Sequence, residues 1–197
     1  MKCLVVFAHP LEDCLCRTLA ARAIGALQSA GHEVELEDLY ANGFAAALTP
    51  IERVSYYAGE YERTNLQAEV NRLSRAEGLV LIFPTWWFGF PAILKGWFDR
   101  VWAPGIAFDH ASDLGTIKPR LLGLRKALAV TTLGSPWWVD RLLMRRPIKR
   151  VLSTALLGAC APNCSFEMLS LYKAERPSAD AVAQFGGRIE RVLGQWR

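Results

Sequence analysis

The sequence predicts a three-layer α/β sandwich, a five-stranded parallel sheet in the order 2-1-3-4-5 with helices on both faces. Three observations carry this. Strand-like and helix-like patterns alternate along all 197 residues, without a repeat, a low-complexity tract or a linker-like stretch to divide them. The runs Cys3 to Ala8 and Leu79 to Phe83 are continuously apolar, as strands are when helices cover both sheet faces. Glu33 to Leu39 instead alternates Glu-Val-Glu-Leu-Glu, which suits an edge position with one face exposed. One domain, residues 1–197, is expected.

The elements follow in order. His9-Pro10 ends the first strand, and an Ala- and Leu-rich helix runs from Leu15 to Ala30, where Gly31 can take the left-handed stop conformation. After the edge strand, Thr49-Pro50-Ile51-Glu52 reads as a helix start with proline in the first turn, leading into a short helix. Asn65 to Ala76 is amphipathic, with Leu66, Val70 and Leu73 on one face. Gly78 breaks it, and Pro84 closes the third strand. Pro91 opens a helix reaching Trp102. Lys126 to Thr132 and Ser165 to Leu171 read as the fourth and fifth strands, separated by a helical region interrupted at Pro147. Ser178 to Trp196 is the closing helix.

Composition narrows the class. A chain that is 52% hydrophobic and 21% charged is a globular α/β protein, too apolar to be disordered. The opening run is too short for a signal-peptide core, and Thr85, Lys95, Asp99 and Arg100 interrupt the most apolar region, so a cytoplasmic protein is expected. Five cysteines are an odd number and read as reduced thiols. Cys14-x-Cys16 and Cys160-x-x-x-Cys164 lack the usual zinc spacing and have no neighbouring histidine, so no metal is expected. No nucleic-acid partner is expected at a net charge of +4.

In a doubly wound sheet of this order, the ends of strands one, three and four meet where the winding direction reverses, and ligands bind there. Three segments fall at that point. The loop from His9 to Cys16 leads into a helix whose free amides can hold a phosphate, although it has neither a Gly-x-Gly-x-x-Gly turn nor a Walker loop. Thr85-Trp86-Trp87-Phe88-Gly89-Phe90, bounded by two prolines, offers an aromatic wall and backbone amides suited to a flat ring. Thr131-Thr132-Leu133-Gly134 follows the fourth strand.

The run from Phe83 to Val101, FPTWWFGFPAILKGWFDRV, resembles the signature of the NAD(P)H:quinone oxidoreductase family, also called DT-diaphorase. The resemblance extends through His9-Pro10, Ile106-Ala107-Phe108, Thr131 to Ser135 and the closing helix, nearly the whole chain. It implies a flavodoxin-like fold and a homodimer with flavin at each of two interfacial sites. Flavin contacts would fall to His9, to Cys14, Leu15 and Cys16, to Pro84, Thr85, Trp86, Trp87 and Phe88, and to Thr131, Thr132, Leu133 and Gly134. The family usually has Ser-Phe-Asn at positions 14–16 and glycine at 133, so weaker or altered flavin binding is expected. Phe108 and His110 match an aromatic pair in the family's acceptor pocket; His110 is either a donor to a quinone oxygen or a solvated loop residue. No catalytic acid is named, because the family's proton-relay tyrosine and histidine have no secure match in Pro136 to Asp140.

The activity implied is hydride transfer from NADH or NADPH to FAD or FMN, then to a quinone or similar acceptor. An arginine that reaches the adenosine part of FAD in animal members falls near Val182, which leaves FAD against FMN open. The same family includes ancillary subunits of potassium-efflux systems, the alternative role. The mildly basic balance is unlike an acidic electron carrier.

Two segments carry further expectations. Trp97 to Asp109 is expected at a dimer interface, its aromatics otherwise exposed. Trp137 to Arg150 mixes tryptophans and leucines with concentrated positive charge. One reading packs Leu142, Leu143 and Ile148 inward and leaves the arginines solvated. The other gives a weak membrane-surface contact or a site for the 2′-phosphate of NADPH.

Overall fold

Alternation within the apolar strands fixes the layering. The structure is a computed structural model describing residues 1–111 and 115–197. β1 (Lys2–Phe7) leads to α1 (Leu15–Ser29), and β2 (Glu33–Asp38) to α2 (Pro50–Ser55) and α3 (Gln67–Arg75). β3 (Gly78–Pro84) precedes α4 (Ala92–Val101), and β4 (Phe108–Asp109) pairs antiparallel with β5 (Lys118–Pro119). β6 (Lys126–Leu133) is followed by α5 (Pro147–Arg150), a wide π-type stretch Val151–Leu157 and α6 (Gly158–Cys160). β7 (Ser165–Tyr172) and α7 (Ala179–Leu193) close the chain.

The main sheet has five strands in the order β2-β1-β3-β6-β7, all parallel. This is the expected 2-1-3-4-5, with β6 and β7 as the predicted fourth and fifth strands. The two-residue strands β4 and β5 were not foreseen, because a pair so short has no periodicity to read.

Leu4, Val6, Leu79, Leu81, Phe83, Ala127 and Ala129 point to one face and meet α3, α4 and the 147–160 region. Val5, Phe7, Val80, Ile82, Leu128 and Val130 point to the other and meet α1 and α7. Each fully buried aliphatic contributes roughly 1.5–3 kcal/mol by removal from water. Both faces therefore drive folding, and every residue of β3 is buried.

Two expectations fail here. Trp97, Phe98 and Trp102 are buried within the chain and meet edge to face at centroid distances of 5.3–6.4 Å, so they expose no surface that needs a second copy. On β2 the alternation breaks, since Glu37 is buried where the pattern points it outward. It accepts from Arg72 Nε at 3.1 Å and from Trp97 Nε1 at 2.9 Å, which satisfies a carboxylate out of water. Burial nevertheless pushes its carboxyl above the ordinary range, against the pull of Arg72.

Where α2 meets α4, Arg100 and Glu52 form a buried pair at 2.5 Å, and Arg100 also donates to the carbonyl of Ala45. Gly96 permits that approach, because any Cβ there would run into the backbone of Ala46. The 45–52 segment is thereby pinned to α4.

Candidate functional site

β1, β3 and β6 end side by side, and their loops enclose a cavity of about 460 Å³. It is lined by His9, Pro84, Thr85, Trp86, Trp87, Thr132, Leu133, Gly134, Ala174 and Glu175. Eight of these ten were chosen from sequence; Ala174 and Glu175 were not.

The polar groups are held in fixed orientations. His9 Nδ1 accepts from the Leu11 amide at 3.1 Å, so the ring's donor is Nε2. Thr85 N donates to Thr132 O at 2.8 Å, and the hydroxyls of Thr85 and Thr131 meet at 2.6 Å. Thr131 is fully buried; it braces Thr85 from beneath and does not line the cavity. Gly134 lies directly against Glu175, where a Cβ would come within 2.7 Å of its Oε1.

The loop after β3 is a tight reversal. Trp86 N and Gly89 O pair at 3.3 Å and Gly89 N and Trp86 O at 2.9 Å, while Trp87 and Phe88 both take left-handed backbone conformations, φ 50° and 58°. Two positive φ values at the central positions are a type I′ geometry, normally filled by Asn or Gly. Each bulky residue there costs on the order of 1 kcal/mol. The outcome is that Trp87 stands 99% exposed on the rim, attached to a rigid turn. Phe88 is half-buried and lies outside the cavity lining.

Positions 14–16 sit beside the cavity, not in it. Cys14 caps α1, its Sγ accepting from Arg17 N at 3.3 Å. Leu15 is half-buried against the core. Cys16 is buried, with Sγ 3.5 Å from Thr132 Oγ1. Burial pushes its thiol up to about 11, against the hydrogen bond to Thr132, so it is a neutral structural group that ties α1 to β6. With the Arg17 amide engaged, Leu15 and Cys16 N–H have no partner inside the helix and remain the positive end of its dipole. Arg17, also unforeseen, pairs its guanidinium with Asp38 at 2.6 Å and lies 4.1 Å from the Phe7 ring centroid, tying α1 to β1 and β2. An Arg two positions past a β-strand loop has no pattern that would have singled it out.

Phe108 and His110 are not brought to this cavity. Phe108 lines a separate cleft of about 250 Å³ with Tyr56, Phe90, Phe98 and Trp102. His110 is exposed, with Nε2 3.0 Å from Tyr56 O and its ring stacked on Tyr57 at 4.6 Å. Another cavity, of about 730 Å³, lies between α2 and the start of α3, lined by Ile51, Val54 and Tyr61 among others. It is far from the strand ends in the chain and gathers none of the predicted groups.

The arrangement can hold a planar, phosphate-bearing ligand: an anion at the start of α1, a ring against the Trp86–Gly89 turn, and hydrogen bonds from His9 and the 132–134 backbone.

Comparison with known proteins identifies the fold. NAD(P)H dehydrogenase (quinone) 1 of Cavia porcellus is 32% identical over 152 residues, 68% of this chain and 54% of that protein. The chain thus spans about half the length of that curated relative. Among solved structures, NAD(P)H:quinone oxidoreductase from Methanothermobacter marburgensis superposes with a TM-score of 0.84 at 27% identity, covering 98% of this chain and 96% of that one. A putative quinone reductase from Klebsiella pneumoniae gives 0.83 at 26% identity, covering 98% and 83%. A family model described as flavodoxin-like fold matches residues 1–183. With its sheet order, its switch-point cavity and this match, the chain belongs to the flavodoxin-like fold family.

Proposed function

We propose that this protein is a flavin-dependent oxidoreductase that takes hydride from NADH or NADPH and delivers it to a quinone or a similar acceptor. The observation that carries this is the convergence of His9, the Trp86–Gly89 turn and Thr132–Gly134 on one cavity beside the free end of α1. The names of the relatives and of the solved structures above support it, and they favour turnover over an ancillary role in potassium efflux.

A bound flavin would supply the two-electron chemistry. The chain's part is placement. Amides of Leu15 and Cys16 would hold the phosphate without the side chains that the family usually has at 14–16. Backbone amides of the rigid turn would lie along the ring edge, where charge develops on reduction. Trp86 and Trp87 would exclude water from one side of the ring.

Of the predicted acceptor-pocket pair, Phe108 lines a different cleft of the same chain and His110 packs edge-on against Phe108. This separation fits a homodimer in which each copy completes the other's site. Free thiols at all five cysteines fit the reducing cytoplasm, where nicotinamide would supply the electrons.

The test is reconstitution with FAD or FMN, then NAD(P)H consumption with menadione. Trp87→Ala should weaken flavin binding about fivefold or more, a loss on the order of 1 kcal/mol for a stacked aromatic. Its melting temperature should not fall, because a side chain 99% exposed adds no core. A protein that stays colourless with either flavin and consumes no NAD(P)H overturns the reading.

A further inference from the structure

Leu142 and Leu143 are 67% and 68% exposed, which overturns the inward packing expected of them; only Ile148 of that set is buried. Beside them Trp137 and Trp138 are 53% and 50% exposed. The chain thus presents two tryptophans and two leucines to water within seven residues, three positions beyond the cavity-lining Gly134. The segment turns at Arg145 and Arg146, both left-handed at φ 56° and 52°.

The charge around this apolar tip has one sign. Residues 137–150 hold five basic side chains, Arg141, Arg145, Arg146, Lys149 and Arg150, against one acid, Asp140. Asp140 is buried and accepts from Tyr172 OH at 2.8 Å, so it does not neutralise the surface. Among the described residues none of the five cations forms an ion pair.

We propose that the 137–150 segment docks this protein on an anionic lipid surface. Exposed Trp and Leu flanked by Lys and Arg is the composition of an interfacial anchor: the apolar side chains enter the acyl boundary while the cations face lipid phosphates. A second copy of the chain is a poorer occupant. A two-fold interface sets a patch against itself and would bring both sets of five cations together. The docking does not depend on the flavin reading; its consequence, a cavity mouth held beside lipid-borne quinones, rests on that reading.

The experiment is flotation of the purified full chain with vesicles of phosphatidylcholine alone and with added phosphatidylglycerol. Binding is expected only with phosphatidylglycerol and should decline as salt rises, since charges are screened over about 8 Å at physiological ionic strength. Leu142→Ser with Leu143→Ser, and separately Arg145→Asn with Arg150→Gln, should each lower partitioning roughly tenfold or more. Asn is chosen at 145 because it tolerates a left-handed backbone. Arg188→Gln with Arg191→Gln, on α7, removes the same charge outside the segment and should leave partitioning unchanged. Thermal melting shows that each variant is folded, and flavin retention is scored separately, so a colourless protein that still floats sinks only the enzymatic reading. Absence of flotation on anionic vesicles, or an equal loss in the α7 variant, overturns the docking. So does a leucine variant that changes oligomeric state while the parent protein binds no vesicles.

Discussion

A thiol stands where a hydroxyl would make a better cap. Cys14 Sγ accepts from Arg17 N at 3.3 Å, but sulfur is a weak acceptor, whereas serine is among the preferred N-caps. Cys14→Ser is expected to stabilise the protein by up to about 1 kcal/mol, a rise in melting temperature of about 2–4 °C for a chain of this length. It should also tighten flavin binding, because the hydroxyl returns a donor to the start of α1. Calorimetry and flavin titration on the same preparation check both effects. Cys16 gives the contrasting case: its thiol, buried, bonded to Thr132 and shifted up to about 11, faces the sheet and leaves only the Cys16 backbone amide for a phosphate. The two cysteines look alike in sequence. Only the helix phase separates the cap, which faces the loop, from the residue two positions on, which faces the sheet.

At the scale of elements, the long strands, α1, α3, α4 and α7 were legible because burial on both sheet faces leaves unbroken apolar runs and helical stripes. The cavity was legible for the same reason, since sheet order alone places the ends of β1, β3 and β6 together. Glu175 and Arg17 were not, because their proximity to Gly134 and Asp38 arises from tertiary packing between distant segments. Nor was the Glu52–Arg100 pair, whose residues are separated by 48 positions. That pair fixes α2, and it carries a pH dependence with a definite sign. Burial opposes the Glu52 carboxylate, but hydrogen bonds from Arg100 and from the Thr49 amide outweigh it and hold the carboxyl below the ordinary range. A group depressed in this way stabilises the fold above its unfolded pKa, about 4.3, and loses that contribution as pH falls through the folded value. Glu52→Gln leaves Arg100 buried without its counter-charge and should cost about 3 kcal/mol near neutral pH. The difference from the parent protein should shrink as pH drops below about 4, where the parent's own carboxyl protonates. Glu37 titrates identically in both proteins, so the difference isolates Glu52. Melting temperatures that differ equally across the whole range would contradict this account.

For the whole molecule, the question is which face a second copy would cover. Of the aromatics that pointed to Trp97 to Asp109, Trp97, Phe98 and Trp102 are core residues, while Phe108 stays half-buried. What the fold leaves exposed is α2 and its continuation, where Ile51, Val54 and Tyr57 are 68%, 77% and 68% exposed. Tyr57 stacks on His110, so this face adjoins the acceptor-pocket pair that lies away from the chain's own cavity. A dimer across α2 would cover the apolar side chains and carry Phe108 and His110 towards the partner's site. Glu60, Glu62 and Arg63 line the cavity beside α2 and Arg53 lies over Tyr57, so this face carries charges of both signs, in contrast to the 137–150 segment with its five cations and one acid. Stable homodimers bury at least about 1,200 Å² in total with an apolar centre, which makes a charge in that centre strongly disruptive. Val54→Glu with Tyr57→Glu should therefore give a monomer at micromolar concentration by light scattering, with the fold intact by circular dichroism because neither side chain is in the core. If the sites are shared, the monomer should turn over quinone far more slowly while still binding flavin through His9 and the Trp86–Gly89 turn. A parent protein that is monomeric at that concentration and fully active would refute the shared site.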